Sequence, residues 1–198
     1  MKRSQIINMY IEKYDYKSYL EIGISNGENF KSINCNSKIG VDPCVYFKSR
    51  DILEKTSDEF FANNKLKFDI IFIDGLHHSG QVYRDIKNSL NALNDGGTIV
   101  CHDMNPRRES IQIVPRISRI WTGDCWKAWV LLRSERKDLE MFVVDTDYGC
   151  GIIRTGEQEL IELNNKLTYE NLDANRKEWL NLISIEEFKE RINGTASA

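Results

Sequence analysis

The chain has 198 residues, 41% hydrophobic and 29% charged, a size and balance that fit one globular domain with a substantial core. Its net charge of -3 gives no electrostatic reason to expect nucleic acid or an anionic membrane as a partner. Five cysteines, odd in number and without a C-x-x-C pair, argue against a disulfide framework or a zinc site and suit a reducing compartment. Met1 to Tyr19 is amphipathic without an apolar signal-type run, so a cytoplasmic protein is expected. Asn193-Gly194-Thr195 matches a glycosylation sequon, read here as chance.

In chain order, Ile7, Tyr10, Ile11 and Tyr14 predict a leading amphipathic helix over residues 3 to 14. Tyr19 to Ile24 reads as a strand entering a turn with Gly23 and Gly27, followed by a short helix carrying Phe30 and Ile33. Lys38 to Val41 is a second strand, closed by Asp42-Pro43, and Ile52 to Lys55 a third. Thr56 to Glu59 has capping-box spacing and opens the helix with Phe60 and Phe61. Phe68 to Ile73 is an almost wholly apolar strand that stops at Asp74-Gly75, with His77 and His78 next and Ser79 as the expected N-cap. Val82, Ile86, Leu90 and Leu93 stripe a helix from about 80 to 93, Asp95-Gly96-Gly97 is a turn, and Thr98 to Cys101 is the next strand.

Strands alternating with helices to residue 103 predict an α/β fold, with a mostly parallel sheet covered by helices on both faces. Residues 104 to 123 read as an Arg-containing loop with a short helix, and Cys125 to Arg133 as helix. Leu139 to Val144 and Gly149 to Arg154 form an antiparallel edge hairpin through Asp147-Tyr148-Gly149. Tyr169 to Leu180 and a final helix capped by Ser184 and Glu187 make a helical tail, whose composition suits packing, a lid or a homodimer. The expected division is residues 1-156 as the domain and 157-198 as an extension packed on it.

The first glycine turn bears on the cofactor. A dinucleotide fingerprint is G-x-G-x-x-G, whereas Glu21 to Gly27 reads G-x-x-x-G with Ser25 where the second glycine should fall. Such a turn can still offer backbone N–H groups to a carboxylate, and Asp42 ends the next strand where an acid accepts ribose hydroxyls. Together they suggest an adenosine-containing ligand without a pyrophosphate.

The segments YLEIGISNG, VDP, TSDEFF, FDIIFIDGLHH, LNDGGTIVCHD and GDCWKAWVLLR resemble class I S-adenosylmethionine-dependent methyltransferases. More narrowly they resemble the small methyltransferase-domain family associated with O-methylation in sugar, polysaccharide and macrolide-sugar biosynthesis. The resemblance implies a Rossmann-like, doubly wound, seven-stranded sheet of order 3-2-1-4-5-7-6. It implies S-adenosylmethionine as cofactor, held by Glu21, Gly23, Ser25, Asn26, Gly27, Asp42, Ser57, Asp58 and Asp74. It also implies an O-methyltransferase acting on a small-molecule or glycan acceptor, with His77 as general base.

In that strand order Asp74 and the pair His102-Asp103 meet on one rim. Converging carboxylates repel unless a cation or shared proton relieves them. A hard ion such as Mg²⁺ at Asp74 and Asp103 would do so and would acidify a bound hydroxyl. The predicted catalytic set is therefore His77, Asp74 and Asp103. Asp103 has the alternative of capping the loop after its strand, and His102 that of bonding a backbone carbonyl. Trp121, Trp126 and Trp129 suit either a sugar platform or the core, and Arg107, Arg108, Arg116 and Arg119 either a phosphate or solvent. Two other functions stay open: a methyltransferase-like domain that binds without turnover, and an NAD-linked dehydrogenase, which Ser25 disfavours. The absence of an N/D-P-P-Y tetrapeptide at Asp74 weighs against methylation of nucleobases.

Overall fold

The strand β4 (Phe68–Ile73) lies at the centre because both of its faces are apolar. Ile70 and Phe72 join one buried cluster and Ile71 and Ile73 the other, as the two-residue repeat of a strand requires. The computed structural model describes residues 1–47 and 49–194, so Thr195 of the sequon lies outside the described residues. Parallel partners flank the centre: β1 (Ser18–Ile22) on one side and β5 (Leu93–Cys101) on the other. Beyond β1 come β2 (Ser37–Val41) and the two-residue β3 (Ile52–Leu53), both parallel. Beyond β5 come β7 (Cys150–Thr155) and β6 (Leu139–Val144), joined as the expected antiparallel hairpin.

The seven predicted strands take the expected order, and an eighth extends it. Leu182–Ile183 forms β8, parallel to β6, so the order is β3-β2-β1-β4-β5-β7-β6-β8. The tail was expected to be wholly helical; two apolar residues between helices suffice to pair with the exposed edge of β6. A second difference lies in β5, which begins at Leu93 and carries the Asp95-Gly96-Gly97 turn inside it as an irregularity. Phe68 pairs with Leu93, and the register then jumps to Ile70 with Thr98.

Helices cover both faces. With α1 (Arg3–Tyr14) and α2 (Glu28–Ser32), the final helix α8 (Ile185–Asn193) packs Ile7, Phe30, Phe188 and Ile192 against Tyr19, Ile70 and Phe72. The opposite face takes α3 (Ser57–Asn63), α4 (Ser79–Ala92), α6 (Cys125–Glu135), which follows the short α5 (Glu109–Gln112), and α7 (Tyr169–Leu180), through Phe60, Ile86, Trp126, Trp129 and Trp179. Each such side chain removed from water contributes roughly 1.5–3 kcal/mol. Trp126 and Trp129 are thus core, whereas Trp121 is not. The segment after residue 156 passes from one face, along the β6 edge, to the other. Among the described residues no helix is long and apolar enough to cross a membrane.

Both predicted capping boxes form: Glu59 N–H donates to Thr56 Oγ1 (3.2 Å) and Glu187 N–H to Ser184 Oγ (3.1 Å). The expected Ser79 cap does not. His78 takes the N-cap position without a side-chain bond, and Ser79 instead gives its N–H (2.7 Å) and hydroxyl (3.0 Å) to Asp124. A carboxylate from the segment preceding α6 supplies what a local serine could have supplied.

Candidate active site

The carboxyl ends of β1, β2 and β4 open into a cavity of about 540 Å³. Of the nine residues predicted to hold the cofactor, Gly23, Ser25, Asp42, Ser57, Asp58 and Asp74 line it. Gly23 is where β1 and β4 come closest. A Cβ there would sit 2.2 Å from the Asp74 carbonyl oxygen, and its φ of +89° is one L side chains rarely adopt. Asp42 reaches back over the turn: Oδ2 accepts from Ile24 N–H (2.8 Å) and Ser25 N–H (3.0 Å), and Oδ1 from Cys44 N–H (2.8 Å).

Three predicted cofactor residues are absent from the cavity wall. Glu21 is 1% exposed, hydrogen-bonded by the Tyr19 hydroxyl and by Asn29 Nδ2 (3.1 Å) beneath the turn. Burial pushes its carboxyl up to about 7, against the pull of those two bonds. Asn26 turns its Oδ1 to Glu28 N–H (3.1 Å) at the start of α2, and Gly27 is covered by the Phe47 ring. The turn was also expected to offer free N–H groups to an anion. Those of Gly23, Ile24, Ser25 and Gly27 are instead taken up by Val41 O, Asp42 and Ile24 O.

The opposite wall is charged. His77 Nε2 lies 3.4 Å from Asp74 Oδ1, and its Nδ1 lies 3.0 Å from Asp103 Oδ2. Trp121 stacks on the His77 ring, centroids 5.2 Å apart, and donates its indole N–H to Ile113 O (2.8 Å). Gly123 makes that approach feasible, because a Cβ there would meet His77 O at 1.8 Å. His78 packs edge-on against the same indole. Arg116 lies over the Trp121 ring, 5.9 Å from its centroid, and also lines the cavity, whereas Arg107 pairs with Asp145.

Behind His77 the strand order produces the expected convergence and adds to it. Ile73 pairs with Cys101, so Asp74 and His102-Asp103 follow neighbouring strand ends. Among the described residues His102 bonds no backbone carbonyl through its ring. Its Nδ1 lies 3.1 Å from Asp74 Oδ1 and 3.2 Å from Asp103 Oδ1, and its Nε2 lies 3.5 Å from Asp147 Oδ1. Asp103 takes a left-handed conformation (φ 63°), and the chain beyond it bonds the β6–β7 turn through Met104 N–H to Gly149 O and Asn105 N–H to Tyr148 O. That brings Asp147 to the cluster. Arg3, at the start of α1, completes it, with Nη1 3.0 Å from Asp74 Oδ2 and Nε 3.4 Å from Asp147 Oδ2. Sequence reasoning missed Arg3 and Asp147, which carry no motif and lie far from Asp74 in the chain.

The cluster sets its own protonation. Burial opposes charge on His102, but the Asp74 and Asp103 carboxylates outweigh it and hold its pKa well above the imidazole range. His77 is also raised, burial being overcome by its hydrogen bond to Asp74 and that residue's charge. Against burial, the same imidazoles hold Asp74 low, and His102 with Arg3 brings Asp147 to about 2. One oxygen or nitrogen from each of Asp74, His102 and Asp103 lies within 4.8 Å of the others, so these residues fit a divalent cation. The donor set adds an imidazole to the two predicted carboxylates, which suits Mn²⁺ or Fe²⁺ at least as well as Mg²⁺.

Comparison with known proteins meets this geometry at the same elements. Residues 20–104, from β1 to just past β5, match the family described as "Methyltransferase domain". The sheet and its strand order are shared with solved methyltransferases. The fold is that of the class I methyltransferases. The SAH-bound methyltransferase PaMTH1 of Podospora anserina superposes with a TM-score of 0.58 at 17% identity, over 79% of this chain and 80% of that one. The O-methyltransferase TomG of Streptomyces achromogenes, solved with SAM and involved in tomaymycin synthesis, gives 0.54 at 10% identity over 78% and 81%. The methyltransferase MycE of the mycinamycin pathway, solved with Mg, SAH and mycinamycin VI, gives 0.52 at 15% identity over 83% of this chain and 50% of that one. No curated protein matches the sequence. In this fold the cavity lies at the carboxyl edge of the sheet, where α/β folds bind their ligands.

Proposed function

We propose that the chain is an S-adenosylmethionine-dependent O-methyltransferase whose acceptor is a small molecule or glycan, a sugar hydroxyl being the favoured group. One observation carries the reading: an imidazole, His77, stands in the cavity wall between two carboxylates and beside the glycine turn. S-adenosylmethionine supplies an electrophilic methyl on sulfur. Asp42 Oδ1 has one lone pair left for a ribose hydroxyl, and Ser57 and Asp58 offer a polar edge suited to adenine. The solved complexes of PaMTH1 with SAH and of TomG with SAM support that choice of cofactor.

His77 is the general base. It takes the acceptor's hydroxyl proton on one ring nitrogen while a carboxylate orients the other. Trp121 fixes the ring plane and gives the acceptor an apolar face, so the residues contribute by positioning as much as by proton transfer. Because the carboxylates raise the pKa of His77, its neutral form gains population only above the ordinary value of 6.5, and the rate rises with pH beyond that point. A divalent ion on Asp74, His102 and Asp103 would supply Lewis acidity to the acceptor oxygen, and the MycE complex with Mg supports including it. A net charge of -3 keeps nucleic acid and membranes out of the proposal, and a reducing, cytoplasmic setting goes with five free thiols.

Melting in the presence of ligand tests the reading. S-adenosylhomocysteine should raise the melting temperature and NAD should not. A shift with NAD alone would return the dehydrogenase, and no shift with either would remove the cofactor. Binding of S-adenosylhomocysteine with no methyl transfer to any of a panel of glycosides would favour the silent domain.

A further inference from the structure

Besides its two imidazoles, the acidic rim already holds a permanent cation, the guanidinium of Arg3. Arg3 Nη1 lies 3.0 Å from Asp74 Oδ2, and 2.7 and 2.8 Å from the two ring nitrogens of His102. Asp74 and His102 are two of the three residues whose donor atoms converge. An ion at their centre would therefore sit against the guanidinium, and like charges at such distances repel strongly where water is scarce. His102 and Asp103 are only 5% and 4% exposed, so solvent screens the contact from the side of Arg3 and Asp74 alone, whose side chains are 31% and 21% exposed.

Arg3 is also held there from behind. Its backbone N–H donates to Asp147 Oδ2 (3.0 Å), and the Thr146 hydroxyl donates to Met1 O (2.6 Å). The first turn of α1 is thus pinned to the β6–β7 turn, with its arginine aimed into the rim. Planar, permanently charged and rich in donors, a guanidinium suits a fixed place between carboxylates.

We propose that Arg3 is the resident cation of this cluster, and that a divalent ion reaches Asp74 and His102 only by displacing it. The rim is then assembled and charge-balanced before any ion arrives, and ion entry loosens the start of α1. This inference rests on the cluster alone and does not require methyl transfer.

Manganese titration of the full chain, followed by the EPR signal of free Mn²⁺, tests it. Arg3→Met should bind Mn²⁺ about ten-fold or more tighter than the unaltered protein, while Arg3→Lys, which keeps a cation in place, stays near it. Adding Asp74→Asn to Arg3→Met should abolish the gain. Equal affinities for the unaltered protein and Arg3→Met, no binding by either, or a gain that survives Asp74→Asn would each overturn the proposal. Should Arg3→Met fail to fold, hydrogen exchange on the unaltered protein decides: saturating Mn²⁺ should speed exchange at the Arg3 amide, and undiminished protection would overturn the proposal. A failed S-adenosylhomocysteine shift would leave both readouts intact, so the two readings can fall separately.

Discussion

The two walls of the cavity are built on different principles. The wall formed by β1, β2 and α3 is local: residues 22 to 58 supply most of it, and hydrogen bonds between backbone and short side chains hold it. The wall around Asp74 and His77 is backed by residues 3, 102, 103 and 147, and charge holds the two layers together. The first resembles a frame that any ligand of the right shape could use. The second is specific chemistry, sensitive to any change in the balance of three carboxylates against one guanidinium and two imidazoles. Disturbing the charged wall should therefore alter turnover, and disturbing the local wall should alter binding.

His77→Ala is the largest test of that division. It removes the base and leaves the turn, Asp42 and α3 untouched, so kcat on an accepted substrate should fall about 10²- to 10⁴-fold. Affinity for S-adenosylhomocysteine, measured by calorimetry, should stay within about two-fold. Comparable losses in both would mean the walls act as one, and undiminished kcat would take the base role from His77.

The difference between the walls also explains how much the sequence discloses. A strand ending in Asp-Gly beside a strand ending in His-Asp is visible in the residues, because strand ends in a parallel sheet must share a rim. Arg3 is invisible: nothing in its neighbourhood marks it, and its position depends on how α1 meets a turn 144 residues away. Glu21 is the opposite case, a residue the sequence marks that the cavity wall does not include. It sits in a recognisable motif, but the alternation of β1 sends its side chain beneath the turn to Tyr19 and Asn29. The strand β8 escaped notice because two apolar residues between helices carry no period of their own.

Glu21 gives the second test, of intermediate size. Its carboxyl binds a proton more tightly folded than unfolded, about 7 against 4.5. Its contribution to stability is therefore whole below about pH 4.5 and declines as pH climbs towards 7. Over that interval the loss amounts to about 3 kcal/mol as an upper figure. Glu21→Gln should abolish this decline, so the variant gains on the unaltered protein at pH 8 and not at pH 4.5. The comparison must be between the two proteins. His77 and His102, with raised pKa values of their own, also lose stability as pH rises through those values. Urea denaturation at both pH values reads the difference, and equal gaps at the two would show that Glu21 is ionised when buried.

Gln81→Ala is the smallest perturbation and the sharpest probe of the local wall. Gln81 Nε2 has two hydrogens and three acceptors, Ser57 Oγ at 3.1 Å, Asp58 Oδ1 at 3.1 Å and Asp85 Oδ1 at 2.9 Å. It ties the start of α4 to the start of α3, where Ser57 and Asp58 face the cavity. Asp85 is almost fully buried; burial raises its pKa, and the bonds from Ser57 and Gln81 resist that rise. Without Gln81 the Ser57 hydroxyl is left as a remaining donor to Asp85, and Asp58 keeps Arg84 as its exposed partner. The expected cost is about 1 kcal/mol of stability, with a loss of about five-fold in S-adenosylhomocysteine affinity and no change in kcat at saturation. Full affinity in Gln81→Ala would mean that α3 frames the cavity without touching the ligand. A fall in kcat instead would show that the two walls communicate through the first turn of α4, which contains Gln81 and begins two residues after His77.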